Sequence, residues 1–170
     1  MRIETDRLIL RPFEEKDLEE LYALLSDRKV MEYEPYLPAD REEAKQELQG
    51  RMASDEFLAM ELKENGRMIG NVYLGKRPYD SVELGYLLAR AYWKQGYARE
   101  ACRAAVAHLF GQGVHRIYAE CDPENEASWY LLERLGFERE AHLKQNVFFW
   151  KDEHGNPIWK DTYIYGKLNG

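Results

Sequence analysis

Apolar positions in this chain switch between two periods, and the switches divide it into elements. Leu8 and Leu10 alternate with Arg7, Ile9 and Arg11, a two-residue period that predicts a first strand over Thr5–Pro12, ended by its proline. Leu18, Leu21, Tyr22 and Leu25 then fall on one face of a helix whose first turn is acidic, as the positive end of a helix dipole favours. Lys29–Asp40 keeps neither period. It holds Pro35 and Pro38 among Met31, Tyr33 and Tyr36 and predicts a loop or broken helix. Asp40 followed by Glu43 is a capping-box pair opening a second helix to about Met52.

The middle of the chain reads as sheet. Phe57–Lys63 and Met68–Leu74 are strand-like runs joined by Glu64-Asn65-Gly66, and Asn-Gly is a strong hairpin signal. A turn at Pro78–Ser81 leads into Val82–Leu88, so three sequential antiparallel strands are predicted. The helical period returns over Glu100–Phe110. Val114–Cys121 follows as a strand, then a polar break at Asp122–Asn125 and a short helix from about Ala127 to Leu135, with Gly136 placed as its C-cap. Phe137–Lys144, Asn146–Lys151 and Ile158–Lys167 read as closing strands, the last two joined at His154–Pro157.

With no linker, repeat or low-complexity stretch, residues 1–170 are expected to form one domain. A hydrophobic share of 45% and a charged share of 32% place the chain among globular proteins and away from disordered or fibrous ones. No apolar run approaches a membrane span, which makes the cytoplasm the expected location. The net charge of −7 argues against nucleic acid, whose phosphates select basic surfaces, and suits a cationic substrate. Cys102 and Cys121 have no metal or disulfide spacing and read as reduced packing residues; the four histidines lie on separate elements, so no metal is expected.

The junction at Trp93–Phe110 carries the chemistry. A strand, Val82–Leu88, is followed by a Gly-containing turn that feeds directly into an amphipathic helix. The first N–H groups of a helix lack acceptors within it, and together with the dipole they bind an anion through backbone alone. Gly96 lets the chain approach a ligand closely, and Ala98 keeps the second approach open. About thirty residues later come Asn125, Ser128 and the pair Gly136-Phe137. In this combination the chain resembles the GNAT acetyltransferase superfamily, in its RimJ/RimL-like branch. The opening TDRLILRPFEEKDLEELYAL and the closing KDTYIYG extend the resemblance over nearly the full length. One departure is Trp93, which stands where the superfamily's loop usually begins with Gln or Arg.

The resemblance implies an α+β, three-layer α/β/α GNAT fold. Its mixed, mostly antiparallel sheet of about six to seven strands would be splayed at the central pair and flanked by about four helices. It implies acetyl-CoA as co-substrate, with the pyrophosphate on the backbone of Gln95, Gly96, Tyr97, Ala98 and Arg99, and with Lys94 and Arg99 adding charge. The pantetheine arm would pair like a strand with Tyr86, Leu87 and Leu88, just past a bulge in that strand, and with Asn125 from the other side. Acetyl transfer needs a group to take the amine's proton, a donor for the oxyanion and a proton for the leaving thiolate. Glu83 is the candidate base, directly or through water, and an N–H near Leu87 or Leu88 the oxyanion donor. The superfamily's acid position, four residues before the Gly of the Gly-Phe pair, is Leu132 here, so a tyrosine acid at that spot is excluded. Ser128 is the candidate instead, with Tyr130 second.

Each of these residues has a plainer reading. Glu83 can be a salt-bridge partner, Ser128 a helix first-turn residue and Asn125 an N-cap. Phe148, Phe149 and Trp150 read as strand core or dimer contact, for a monomer or a homodimer. The acceptor, a protein N-terminus, a polyamine or another small amine, is expected to meet Lys29–Asp40 and Asn146–Trp159. The reading from a different class is an acyl-CoA sensor of the same fold without turnover. A nucleotide-binding Rossmann domain is disfavoured by the absent Gly-x-Gly-x-x-Gly and by the hairpins before the loop.

Overall fold

The computed structural model describes residues 1–170. Its strands are β1 (Ile3–Glu4), β2 (Leu8–Arg11), β3 (Phe57–Leu62), β4 (Met68–Arg77), β5 (Ser81–Leu88), β6 (Arg116–Cys121), β7 (Glu138–Lys151) and β8 (Pro157–Leu168). The helices are α1 (Leu18–Ser26), α2 (Arg41–Ala53), α3 (Tyr97–Gly111) and α4 (Glu126–Arg134). All eight strands form one sheet in the order β1-β2-β3-β4-β5-β6-β8-β7, slightly more strands than the six to seven expected. Only β5 and β6 run parallel.

Two hydrophobic clusters cover the two faces of this sheet. On one, Ala101, Cys102, Ala105, Val106 and Leu109 of α3 and Leu132 of α4 pack with Leu8, Leu58, Val72, Leu84 and Ile117. On the other, Leu21, Leu24 and Leu25 of α1 and Leu48 of α2 pack with Ala59 and Met68, and Leu87 lies against them. The three-layer arrangement follows. Helix starts and stops obey their local chemistry: Asp40 accepts from the Glu43 N–H at 2.8 Å while Glu43 accepts from the Asp40 N–H at 3.0 Å. Past α4, Gly136 at φ +84° takes the left-handed cap, and the Phe137 N–H returns to the Leu132 carbonyl at 3.0 Å.

Three expectations are corrected. The first strand's alternation puts Arg11 on the polar side, yet Arg11 is 3% exposed. Asp17 at 2.8 Å and Glu61 at 2.5 Å neutralise it, which is what makes its burial tolerable. The two strands read at Phe137–Lys144 and Asn146–Lys151 are one strand, β7. Gln145 adopts φ +46°, and its N–H is taken by Asp161 Oδ1 at 2.8 Å, so the irregularity bends the strand without ending it. Finally, β5 carries no bulge: its register with β4 is unbroken from Ser81 opposite Arg77 to Leu88 opposite Gly70. The irregularity lies instead between β3 and β4, at Met60/Glu61.

Candidate active site

The central parallel pair is short. Pairing of β5 with β6 covers Ser81–Glu83 against Arg116–Tyr118 and then stops, while both strands continue. A gap therefore opens beyond Glu83, bordered by Leu84–Leu88. Which main-chain groups face it follows from the phase of the neighbouring ladder. The Leu74 N–H donates to the Glu56 carbonyl, on the β3 side, and the Ala89 N–H donates to the Ile69 carbonyl, both at 2.8 Å. Alternation along an antiparallel pair then directs Gly85 and Leu87 to β4 and leaves Tyr86 and Leu88 facing the gap. The Leu88 carbonyl accepts from the Trp93 indole N–H at 2.7 Å. Leu88 thus offers its N–H alone, and of the two residues read as sources of an oxyanion donor only Leu88 is oriented for it. Trp93, where Gln or Arg is usual, ties the loop to the strand end.

At the top of the gap the chain turns into α3. Lys94 at φ +60° and Gly96 at φ +83° curl the loop, and the N–H groups from Gln95 to Arg99 donate to no main-chain acceptor. Such a run of convergent donors at a helix start suits a pyrophosphate. The side chains agree: Lys94 is exposed and Arg99 carries a buried Nε with no partner, and neither is held by a carboxylate. A buried guanidinium nitrogen left unpaired is costly unless a ligand supplies the acceptor.

A residue that sequence reasoning missed holds this loop from behind. Arg7 donates through Nε to Glu100 Oε2 at 2.7 Å and through Nη1 to the Gln95 carbonyl at 3.0 Å, and its guanidinium lies 4.0 Å from the Tyr97 ring centroid. Glu100 also accepts from the Thr5 hydroxyl at 2.6 Å and the Arg7 N–H at 2.9 Å. Burial would raise the Glu100 carboxyl, but these donors hold it below its ordinary value. An acidic residue in the first turn thereby becomes a neutralised anchor, which does not compete with an incoming phosphate.

Across the gap stands α4. Asn125 occupies its N-cap with no side-chain cap bond, so its amide is free to turn toward the gap. Ser128 is half-buried and is the polar neighbour of both the Tyr86 hydroxyl and the Cys121 thiol. Burial raises both: the Tyr86 phenol lies well above its usual range, and the Cys121 thiol is pushed up to about 12. Tyr130 projects elsewhere, exposed and bonded to Arg134 at 3.2 Å. Cys102 is buried and its thiol, also raised to about 12 by burial, is a packing group.

The carboxylates near the gap differ in how they are held. Glu83 Oε2 lies 2.5 Å from Arg77 Nη2, at the closed end of the gap where β5 and β6 still pair. Asp122 and Glu124 share Lys160 at 3.1 and 2.7 Å. The loop between α1 and α2 reaches over this region: Asp27 pairs with Arg90 at 2.8 Å, and the Tyr33 hydroxyl donates to the Glu124 carbonyl at 3.3 Å. Glu34 follows Tyr33. It is half-buried, and burial pushes its carboxyl up to about 7, with Arg51 pulling the other way. The sequence marks Lys29–Asp40 as an acceptor region but carries no signal that singles out Glu34. No group of three or more His, Cys, Asp or Glu side chains is placed to hold a metal ion, and no helix is long and apolar enough to cross a membrane.

Comparison with known proteins agrees with this geometry. Residues 7–138 match the acetyltransferase (GNAT) domain model. A crystal structure of a GNAT-family acetyltransferase from Bacillus anthracis superposes with a TM-score of 0.91 at 31% identity, covering 99% of each chain. The spermidine N(1)-acetyltransferase of Vibrio cholerae is 30% identical over 152 residues, 84% of this chain and 85% of its own. The [ribosomal protein uS5]-alanine N-acetyltransferase of Escherichia coli is 37% identical over 73 residues, 41% of this chain and 38% of its own. With its splayed central pair, its free N–H groups at the start of α3 and these relatives, the chain belongs to the GNAT acetyltransferase family, in the RimJ/RimL-like branch, and is an acyltransferase.

Proposed function

We propose that this protein transfers the acetyl group of acetyl-CoA to a primary amine by direct attack within a ternary complex. The observation that carries the proposal is the continuity of one groove. The unpaired main chain of Tyr86 and Leu88 leads directly to the free N–H groups of Gln95–Arg99. An amide-rich arm lies along the first and a pyrophosphate against the second. In that pose Lys94 and Arg99 add charge to the phosphates, and Asn125 bonds the arm from the side of α4.

The thioester then sits near the Leu88 N–H, whose unpaired donor is aimed at the oxyanion that forms as the amine attacks. Ser128 is on the opposite wall, within reach of the departing sulfur, and supplies or orients its proton. Glu83 draws the proton from the acceptor only through water, because its own oxygen is held by Arg77 at 2.5 Å. The acceptor is a small or terminal amine. The similarity to an enzyme named for spermidine and the net charge of −7 favour a cationic amine, a polyamine ahead of a protein N-terminus.

The test is release of free thiol from acetyl-CoA in the presence of spermidine, other small amines and peptides with free N-termini. Amine-dependent thiol release with a matching N-acetyl product supports the reading. Tight acetyl-CoA binding by calorimetry with no thiol release for any acceptor would make the protein a sensor.

A further inference from the structure

Glu34 is the carboxylate beneath the crossing loop that no donor or cation holds. Its side chain has no hydrogen-bond partner, and Arg51, the cation that lowers it, acts only through space. Every other carboxylate beneath the loop is engaged: Glu83 with Arg77, Asp27 with Arg90, and Asp122 and Glu124 with Lys160. Glu120, at the far side of the gap, is exposed and lies beside the Glu83–Arg77 pair.

The fold puts Glu34 there by stretching one loop across the gap. The loop starts at Asp27, fixed to Arg90 just beyond β5, and ends at Ala39, whose N–H donates to the Leu25 carbonyl at 2.9 Å. Midway, Tyr33 reaches the Glu124 carbonyl between β6 and α4, so the segment spans from one wall of the gap to the other. Glu34 is the next residue, within electrostatic reach of Tyr86, the residue whose main chain lines the gap. The titratable and charged groups around it are Arg51 from α2, Tyr86 from β5 and Tyr36 from its own loop, with Glu47 of α2 and Tyr73 of β4 facing Tyr36. Arg51 is itself held by Glu47 at 2.9 Å and by Asn71 at 3.0 Å, so it does not close on Glu34.

We infer that Glu34 accepts the proton that the acceptor's ammonium group must lose, and that this unpaired carboxylate beneath the loop selects amines arriving as cations. The inference rests on the acetyl-transfer reading above. In the step, one N–H proton passes from the ammonium to a Glu34 carboxyl oxygen, and the freed lone pair attacks the thioester carbonyl carbon. The C–N bond forms and the C–S bond breaks. A second N–H proton leaves nitrogen by the water route that Glu83 serves, and the thiolate takes up a proton, giving the N-acetyl amide and the coenzyme A thiol. A carboxyl that burial has brought near neutrality holds this proton far better than an ordinary one, yet is ionised often enough to receive it.

The test is kcat/KM for the acceptor against pH at saturating acetyl-CoA, with spermidine and an N-terminal alanine peptide as the two acceptors. Wild type is expected to lose activity below a break near pH 7. Glu34→Gln should fall about 100-fold at neutral pH and lose the break, the size a positioned base contributes. Glu34→Asp should keep the break with a smaller loss, and Glu83→Gln should keep it too, with acetyl-CoA affinity unchanged in all three. A Glu34→Gln profile within threefold of wild type across the range overturns the inference, as does a break that vanishes in Glu83→Gln and survives in Glu34→Gln. Both outcomes leave acetyl transfer standing. A wild-type protein that binds acetyl-CoA and acetylates none of the small amines and peptides tested overturns the acetyl-transfer reading and this inference together.

Discussion

Replacing Glu34 with glutamine should make the protein more stable at high pH and leave it nearly unchanged at low pH. Burial carries the Glu34 carboxyl from its ordinary 4.5 to about 7. The folded state therefore holds this proton more tightly than the unfolded chain does. A group raised in this way contributes stability that is complete below its unfolded value and is lost as pH rises through its folded value. The loss thus falls between about pH 4 and pH 7. At about 1.4 kcal/mol per unit the shift of about 2.5 units sets a ceiling of about 3 kcal/mol, and the remaining solvent contact of a half-buried carboxyl screens part of it. Glutamine has the same shape and cannot ionise, so it escapes this loss. Its advantage should grow by about 1–2 kcal/mol between pH 5 and pH 8, or about 2–8 °C in Tm for a chain of this size. Urea melts of both proteins at the two pH values measure it. An advantage that is equal at both pH values, or a variant less stable at pH 8, would refute the claim that an ionised Glu34 is held there at a cost.

Three further substitutions address the donor side. Arg7→Met removes the brace between Glu100, Gln95 and Tyr97; part-exposed charged contacts of this kind are worth about 1–2 kcal/mol, so the Kd for coenzyme A should rise about tenfold with kcat within twofold. A Kd within twofold of wild type by calorimetry would make the brace irrelevant to binding. Gly96→Glu places a bulky like charge at φ +83°, where an L-residue costs about 1–2 kcal/mol; the circular dichroism should stay folded while coenzyme A binding is lost, and unchanged affinity would remove the phosphate-loop assignment. Ser128→Ala should lower kcat about tenfold without changing the KM for acetyl-CoA; an unchanged kcat would leave Ser128 a first-turn residue of α4.

What the sequence discloses about this site depends on how far apart its parts lie along the chain. The loop proposed for the pyrophosphate is contiguous: Gly96, the first turn of α3 and the preceding strand form one run, and the task proposed for each residue follows from helix-end chemistry. The same is true of the Asp40–Glu43 capping box and of Gly136. Arg7 is different, since it reaches Glu100 across 93 residues and Gln95 across 88, and the two-residue period that runs on into β2 says only that it points away from Leu8. That period also misplaces Arg11, because alternation cannot register the neutralising Asp17 and Glu61. The same limit applies to β7, where the Gln145 irregularity is stabilised by Asp161 on the neighbouring strand.

The two halves of the reaction inherit this contrast. The donor of the family is a fixed, phosphate-bearing molecule, and the recognition proposed for it rests mainly on backbone at one strand-to-helix junction, which leaves a local signature in glycine and small residues. The loop proposed to meet the acceptor has its position set by three separate links, Asp27 to Arg90, Ala39 to Leu25 and Tyr33 to Glu124. None of these pairs is marked by a motif, and the residue they present, Glu34, differs from Glu32 beside it only in where the loop sets it down. Glu32 is exposed and reaches Lys29 at 3.9 Å, while Glu34, two residues on, is half-buried and has no such partner. Proton affinity here is a property of burial and of absent counter-charges, and so it arises only once the loop crosses the gap.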